Sequence, residues 1–190
     1  MKQRLRPVAA DLPALYPELH DHRLYGRGHV ERVGAMIALA EDLNHFPGLR
    51  HIKSAADLSC GNGAVLDALE GSLGCQTVRG DIAPGWPIKG PIELTLDLLG
   101  PVNLFVLGET LEHLDEPDVV LRGIRKKAER LVLSTPIDAW DDANVEHLWA
   151  WDAAEVTALL ASENWRMVRY TEVDSTVYYE AYRYGVWACV

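Results

Sequence analysis

The chain has no apolar run approaching the eighteen or so residues of a membrane span, and its opening Met1-Lys2-Gln3-Arg4-Leu5-Arg6-Pro7 leads into no signal-peptide core. A cytoplasmic protein without a membrane partner is the expectation. Cysteine is scarce: Cys60, Cys75 and Cys189 lack paired spacing, which argues against a disulfide framework or zinc knuckle and leaves reduced thiols. Basic residues are also few. With 18 Lys and Arg against 28 Asp and Glu, the net charge is −10 and repels a polyanion at long range. Nucleic acid is therefore disfavoured as a partner, although a local patch could still bind it. Repeats, low-complexity tracts and linkers are missing, and 190 residues of ordinary hydrophobic content suit one well-buried domain.

What is present is an alternation of hydrophobic periods. Residues 1–28, with Pro7, Pro13 and Pro17, read as an irregular N-terminal arm. Its Tyr16, His20, His22 and Tyr25 either line a pocket or cover the domain from outside. The main domain spans residues 29–190. Val30, Val33, Met36, Ile37, Ala40 and Leu43 recur at three and four and predict an amphipathic helix over 29–46. A short apolar run then ends at Asp57, passes through Gly61 and Gly63, and re-emerges with helical spacing at Val65, Leu66 and Leu69. This is a strand, a tight turn and a helix. A second strand is expected over 76–81, a proline- and glycine-rich loop over 84–91, and a third strand over the alternating segment 92–97. The continuous apolar run 102–107 suits a parallel strand covered on both faces. A helix over 117–128, a strand over 130–136, a helix from the N-cap Asp152 with Glu155 three residues on, and two antiparallel runs over 165–173 and 178–190 complete the chain. The fold class is α/β, a doubly wound, mostly parallel sheet, with ligands expected outside the strands' carboxyl ends. Those ends carry Asp57, Asp81 and Asp97.

A dinucleotide site would want G-x-G-x-x-G, but from Gly61 the third position falls on Leu66. At Gly61 and Gly63 the missing Cβ lets a ligand approach backbone N–H groups at the positive end of the new helix. The turn Asp57-Leu58-Ser59-Cys60-Gly61-Asn62-Gly63 resembles motif I of the class I S-adenosylmethionine-dependent methyltransferases, with Ser59 in place of the first glycine. Gly80-Asp81-Ile82 looks like that family's second-strand acid and its apolar neighbour, Asp97 like its third-strand acid, and 107–114 like its post-strand-four signature. The resemblance implies a Rossmann-like seven-stranded sheet with an antiparallel C-terminal edge, and S-adenosylmethionine as cofactor. It further implies a site of Asp57, Ser59, Gly61, Gly63, Asp81, Ile82, Asp97 and Glu109. Asp81 would hold the ribose hydroxyls, Ile82 the adenine ring and Asp97 its amino group.

On a helix, Glu109, Glu112 and His113 would share one face. E-x-x-E-H followed by His147 is similar to the metal-dependent 2′-O-methyltransferases of small RNAs, which implies magnesium or manganese held by Glu109, Glu112, His113 and His147. The same L-E-H-L segment resembles ubiquinone-pathway O-methyltransferases and relatives that act on sugars or small metabolites. Three readings stand together: the four-ligand metal site, a metal-free catalytic base at His113 or His147, and a structural role for these side chains. The expected acceptor is a small hydroxylated metabolite or saccharide. The alternatives are nucleic acid, or a catalytically silent cofactor-binding module. Trp140, Trp149 and Trp151 either stack on the acceptor or fill the core, and the basic cluster Arg122, Arg125, Lys126, Lys127 and Arg130 reads as a solvated helix face.

Overall fold

The computed structural model describes residues 3–5, 14, 16–19, 27–178 and 182–190. Strands form where apolar side chains alternate between two faces that are both covered. In β5 (Val102–Gly108), Leu104 and Val106 face one core while Phe105 and Leu107 face another. In β6 (Ala128–Ile137) Val132 opposes Leu131 and Leu133, and in β9 (Arg183–Cys189) Val186 and Ala188 oppose Trp187 and Cys189. Two cores on one sheet require helices on both sides. α1 (Arg27–Asn44) and α2 (Ala64–Leu73) cover the first face. α3 (Ile92–Thr95), α4 (Pro117–Arg125) and α5 (Ala153–Ser162) cover the second.

With β2 (Ser54–Asp57), β3 (Gln76–Asp81), β4 (Ile88–Lys89) and β8 (Met167–Asp174), the main sheet has seven strands in the order β4-β3-β2-β5-β6-β9-β8. The pairs β3/β4, β2/β3, β2/β5 and β5/β6 are parallel, whereas β9 runs antiparallel to both β6 and β8. The expected sheet and its antiparallel C-terminal edge are both present. From β2 the chain winds outward to β3 and then returns to β5 on the other side, which creates the switch point where ligands bind in such sheets. Separately, β1 (Gln3–Arg4) pairs antiparallel with β7 (Trp149–Ala150), so part of the N-terminal arm is strand. Among the described residues, no helix is long and apolar enough to cross a membrane.

The expected strand over 92–97 is corrected. The segment is α3 followed by a 3-10 turn at Leu96–Leu98, and the sheet edge is supplied by β4 instead. Pro91 presents its carbonyl to the N–H groups of Leu94 and Thr95 and to the Thr95 hydroxyl, which starts a helical turn. That turn buries Ile92 and Leu96, four apart, and leaves Leu94 and Leu98 at 75% and 71% exposure. Over six residues, alternation and helical spacing both fit the pattern, and packing decides.

The basic cluster divides: Arg122 and Lys126 are exposed as a solvated face requires, whereas other members are held by structural contacts. Arg130 is fully buried and donates to the carbonyls of Leu43 and Arg50. Arg122 pairs with Glu163, Arg125 lies over the Trp165 ring, and Lys127 donates to the Leu99 carbonyl. Cys60, Cys75 and Cys189 are buried free thiols.

Candidate functional site

The carboxyl ends of β2, β3 and β5 open into a cavity of about 320 Å³, at the lower end of the range for small-molecule sites. Of the sequence candidates, Ser59, Gly61, Asp81, Ile82, Glu109, Glu112, His113 and His147 line it. Asp57 and Gly63 do not line it. Asp97 does not reach it: it is exposed on the 3-10 turn, and the acid that this connection contributes to the cavity is Glu93.

The glycine turn works differently from the open N–H cradle that its sequence suggests. The Ser59 N–H donates to Asp57 Oδ1, the Cys60 N–H to the Gly80 carbonyl and the Gly61 N–H to Asp81 Oδ2 at 2.7 Å. The Gly63 N–H donates to the Cys60 carbonyl, and the Ala64 N–H to Asn62 Oδ1. These donors are satisfied within the protein, so the turn supplies shape rather than an anion cradle. Gly61 (φ 53) and Gly63 (φ 82) adopt the left-handed conformation that the turn needs. A Cβ at Gly63 would come within 3.2 Å of the Trp86 ring, whose indole N–H donates to the Gly61 carbonyl. Asp81 ties the two strand ends together, its other oxygen accepting from the Ala83 N–H at 2.9 Å.

Ser59 has a defined job. Its hydroxyl lies 3.1 Å from Asp57 Oδ1, as donor, and 2.8 Å from Thr110 Oγ1, so it links the end of β2 to the segment after β5. Ser59→Ala is expected to cost about 1–2 kcal/mol of stability by denaturant unfolding. Ser59→Gly is expected to weaken cofactor binding in calorimetry, and tighter binding would instead mark the serine as a compromise.

Glu109, Glu112 and His113 do not share a helix face. Glu109 takes a positive φ of 51° directly after β5, and only Leu111–His113 form a 3-10 turn. The side chains still converge, through tertiary contacts. Glu109 Oε1 accepts from the Ser134 hydroxyl at 3.0 Å and lies 3.8 Å from Arg32 Nε. Arg32, 1% exposed on α1, also donates to Ser134 Oγ at 2.8 Å. Glu112 Oε2 accepts from Thr135 Oγ1. His113 Nδ1 sits 3.0 Å from the Glu146 carbonyl, which only accepts, so Nδ1 carries the proton. His147 Nδ1 contacts Asp142, which also accepts from the Tyr182 hydroxyl at 2.9 Å.

Donor atoms of Glu112, His113 and His147 lie within 4.8 Å of one another. Glu109 is not in that group, because Arg32 and Ser134 hold its carboxylate elsewhere. Three members of the expected metal set are thus brought together among the described residues, and the fourth, Glu109, is engaged by Arg32 and Ser134.

Burial pushes the Asp57 carboxyl up to about 7 against the lowering effect of its Ser59 hydrogen bonds. It pushes Glu109 up to about 8, opposed chiefly by Arg32 and reinforced by Glu112, and it raises Glu112 also. Unfolded, these acids titrate near pH 4, so between about 4 and 8 the folded state binds more protons and its stability falls as pH rises. Differential scanning calorimetry should show a Tm several degrees lower at about pH 8.5 than at about pH 5.5. Asp57→Asn should flatten that slope, and an unchanged slope would sink the assignment.

Sequence reasoning missed Arg32, Asp142, Tyr182 and Tyr184. Arg32 had a signal: it stands four residues before Met36 and eight before Ala40, on the apolar face of its helix. The aromatic rings facing the cavity are Tyr16, Tyr182 and Tyr184. Trp149 and Trp151 stack on each other and donate to the Leu114 and Pro136 carbonyls, and neither they nor Trp140 line the cavity. Tyr16 reaches in from the arm and donates to Glu146. His20, His22 and Tyr25 lie outside the described residues.

No family model matches the chain, and no curated protein matches it. Solved structures do. The magnesium protoporphyrin IX methyltransferase of Synechocystis PCC 6803, with bound S-adenosylhomocysteine, superimposes with a TM-score of 0.65 at 14% identity, over 88% of this chain and 91% of that one. The 1,6-didemethyltoxoflavin-N1-methyltransferase of Burkholderia thailandensis, also with S-adenosylhomocysteine, gives 0.66 at 16%, over 97% and 91%. The fold is that of the class I methyltransferases. The [4+2]-cyclase SpnF matches as well, with a TM-score of 0.66 at 10% identity, over 94% and 89%. One scaffold thus carries more than one chemistry, and the activity has to be argued from the site.

Proposed function

We propose that the protein is an S-adenosylmethionine-dependent methyltransferase acting on a small, hydroxyl-bearing metabolite or saccharide. The observation that carries this is the composition of the cavity at the strands' carboxyl ends. It brings the Ser59–Gly61 turn, Asp81 and Ile82 together with His113, His147 and Glu112 at the switch point of the sheet. When bound, S-adenosylmethionine supplies a methyl group on a positively charged sulfur. Asp81, fixed by two backbone N–H groups, keeps acceptor capacity for ribose hydroxyls. The acids along the cavity suit a cationic cofactor.

At the other end, His113 is oriented by its Nδ1–H bond to Glu146, which leaves Nε2 as the basic nitrogen. It accepts the hydroxyl proton as the oxygen attacks, and the surrounding walls hold nucleophile and methyl in line. Calorimetry with S-adenosylmethionine, then a transfer screen with labelled cofactor against sugars, phenols and RNA, tests the reading. His113→Gln is expected to lower kcat by roughly 100-fold or more, with cofactor affinity held within about twofold. No binding at about millimolar cofactor would sink the proposal. Binding without transfer to any acceptor would leave the silent-module reading. The acidic lining, with no lysine or arginine in it among the described residues, speaks against RNA as acceptor.

A further inference from the structure

The cavity is lined by Asp81, Glu93, Glu109, Glu112 and Glu146, and by no lysine or arginine among the described residues. Arg32 compensates Glu109 from behind the wall. Glu112 differs from the other acids. It is 1% exposed, one carboxylate oxygen accepts from Thr135, and the other, Oε1, is fully buried without a hydrogen-bond partner among the described residues. His113 Nε2 stands 3.9 Å from it, too far for a hydrogen bond. A buried acceptor left without a donor is costly, and a protein that keeps one in the wall of a cavity has a place for a ligand's donor.

We propose that Glu112 Oε1 receives the N–H or O–H of the methyl acceptor, and that the site selects neutral or cationic acceptors, amines among them, over phosphorylated or carboxylated ones. This rests on the methyltransferase reading of the same cavity. An anionic acceptor would meet the acceptor oxygens of these side chains and no lysine or arginine among the described residues, in a poorly solvated space. An ammonium or hydroxyl satisfies Oε1 instead. With an alcohol, the O–H proton passes to His113 Nε2 as the oxygen lone pair bonds to the methyl carbon, and the C–S bond breaks with its electron pair to sulfur. With an amine, the ammonium first gives one proton to His113. The freed lone pair then forms the N–C bond, and the product leaves as an ammonium.

The test is calorimetric titration of the protein, loaded with S-adenosylhomocysteine in EDTA, with benzylamine and with benzoate, which share a ring and differ in charge. Benzylamine should bind at least about tenfold more tightly, roughly 1.4 kcal/mol. Glu112→Gln should shrink that advantage to about threefold or less while leaving the affinity for S-adenosylhomocysteine unchanged. Glu112→Asp, which withdraws the carboxylate but keeps its charge, serves if the glutamine variant melts abnormally, and should likewise weaken benzylamine alone. Equal or tighter binding of benzoate, no binding of either probe at about 10 mM, or an advantage that survives both substitutions would overturn the proposal. Failure of S-adenosylhomocysteine to bind would strike the methyltransferase reading instead, and the two probes can then be compared on the free protein.

Discussion

Replacing Asp81 with alanine should remove S-adenosylmethionine binding from the calorimetric range, a loss of at least about 100-fold or roughly 3 kcal/mol. Two effects add. In the proposed reading the carboxylate accepts from the ribose hydroxyls, and it also holds the Gly61 and Ala83 N–H groups. Without it two backbone donors at the bend of the turn lose their partner, each at about 1–3 kcal/mol if they stay buried. The turn that shapes the floor therefore loosens as the ligand contact disappears. Asp81→Asn, which keeps one acceptor oxygen, should fall between alanine and wild type. Wild-type affinity in the alanine variant would place the cofactor elsewhere.

Replacing Arg32 with methionine should be the most destabilising single change outside the apolar core, at about 3–5 kcal/mol. For a chain of this size that is a fall in Tm of roughly 10 °C. The guanidinium is buried beside Glu109 and bonded to Ser134, and the approach is close. A Cβ on Gly108 would come within 3.2 Å of Arg32 Nη1. Methionine fills similar space but, at about pH 9, where burial no longer keeps Glu109 protonated, leaves its carboxylate without its cation. Glu109→Gln in the same background should recover at least about half of the loss, because the uncompensated charge is then gone. A double variant as unstable as the single one would show that the arginine acts through packing alone. Thermal unfolding followed by circular dichroism reads both.

The elements that were legible from sequence were those whose signal is local and repeated. The run over 102–107 alternates faces for long enough to demand cover on both, and the structure places its side chains in two cores. Asp152 and Glu155 form the capping box that their spacing announces. The segment over 92–97 was not legible, because six residues satisfy two periods at once and Pro91 tips the choice to a helical turn. Glu109 misled in the same way. A three- and four-residue spacing implies a shared face only if the chain is helical, and Glu109 sits at φ 51° before the turn begins.

By itself the sequence determined the doubly wound sheet, the location of the cavity at the carboxyl ends of its strands, and Ser59, Gly61, Asp81 and Ile82 as its floor. Periodicity, glycine spacing and strand-end acids are properties of contiguous residues. Only the tertiary structure decided that the N–H groups of Ser59, Cys60, Gly61, Gly63 and Ala64 are bonded within the protein, that Asp97 does not line the cavity, and that Glu109 pairs with Arg32 outside the group of Glu112, His113 and His147. Partners such as Arg32 and Glu109, or Asp142 and Tyr182, come from separate elements. What each carboxylate can still bind depends on which donors the folded chain has already brought to it.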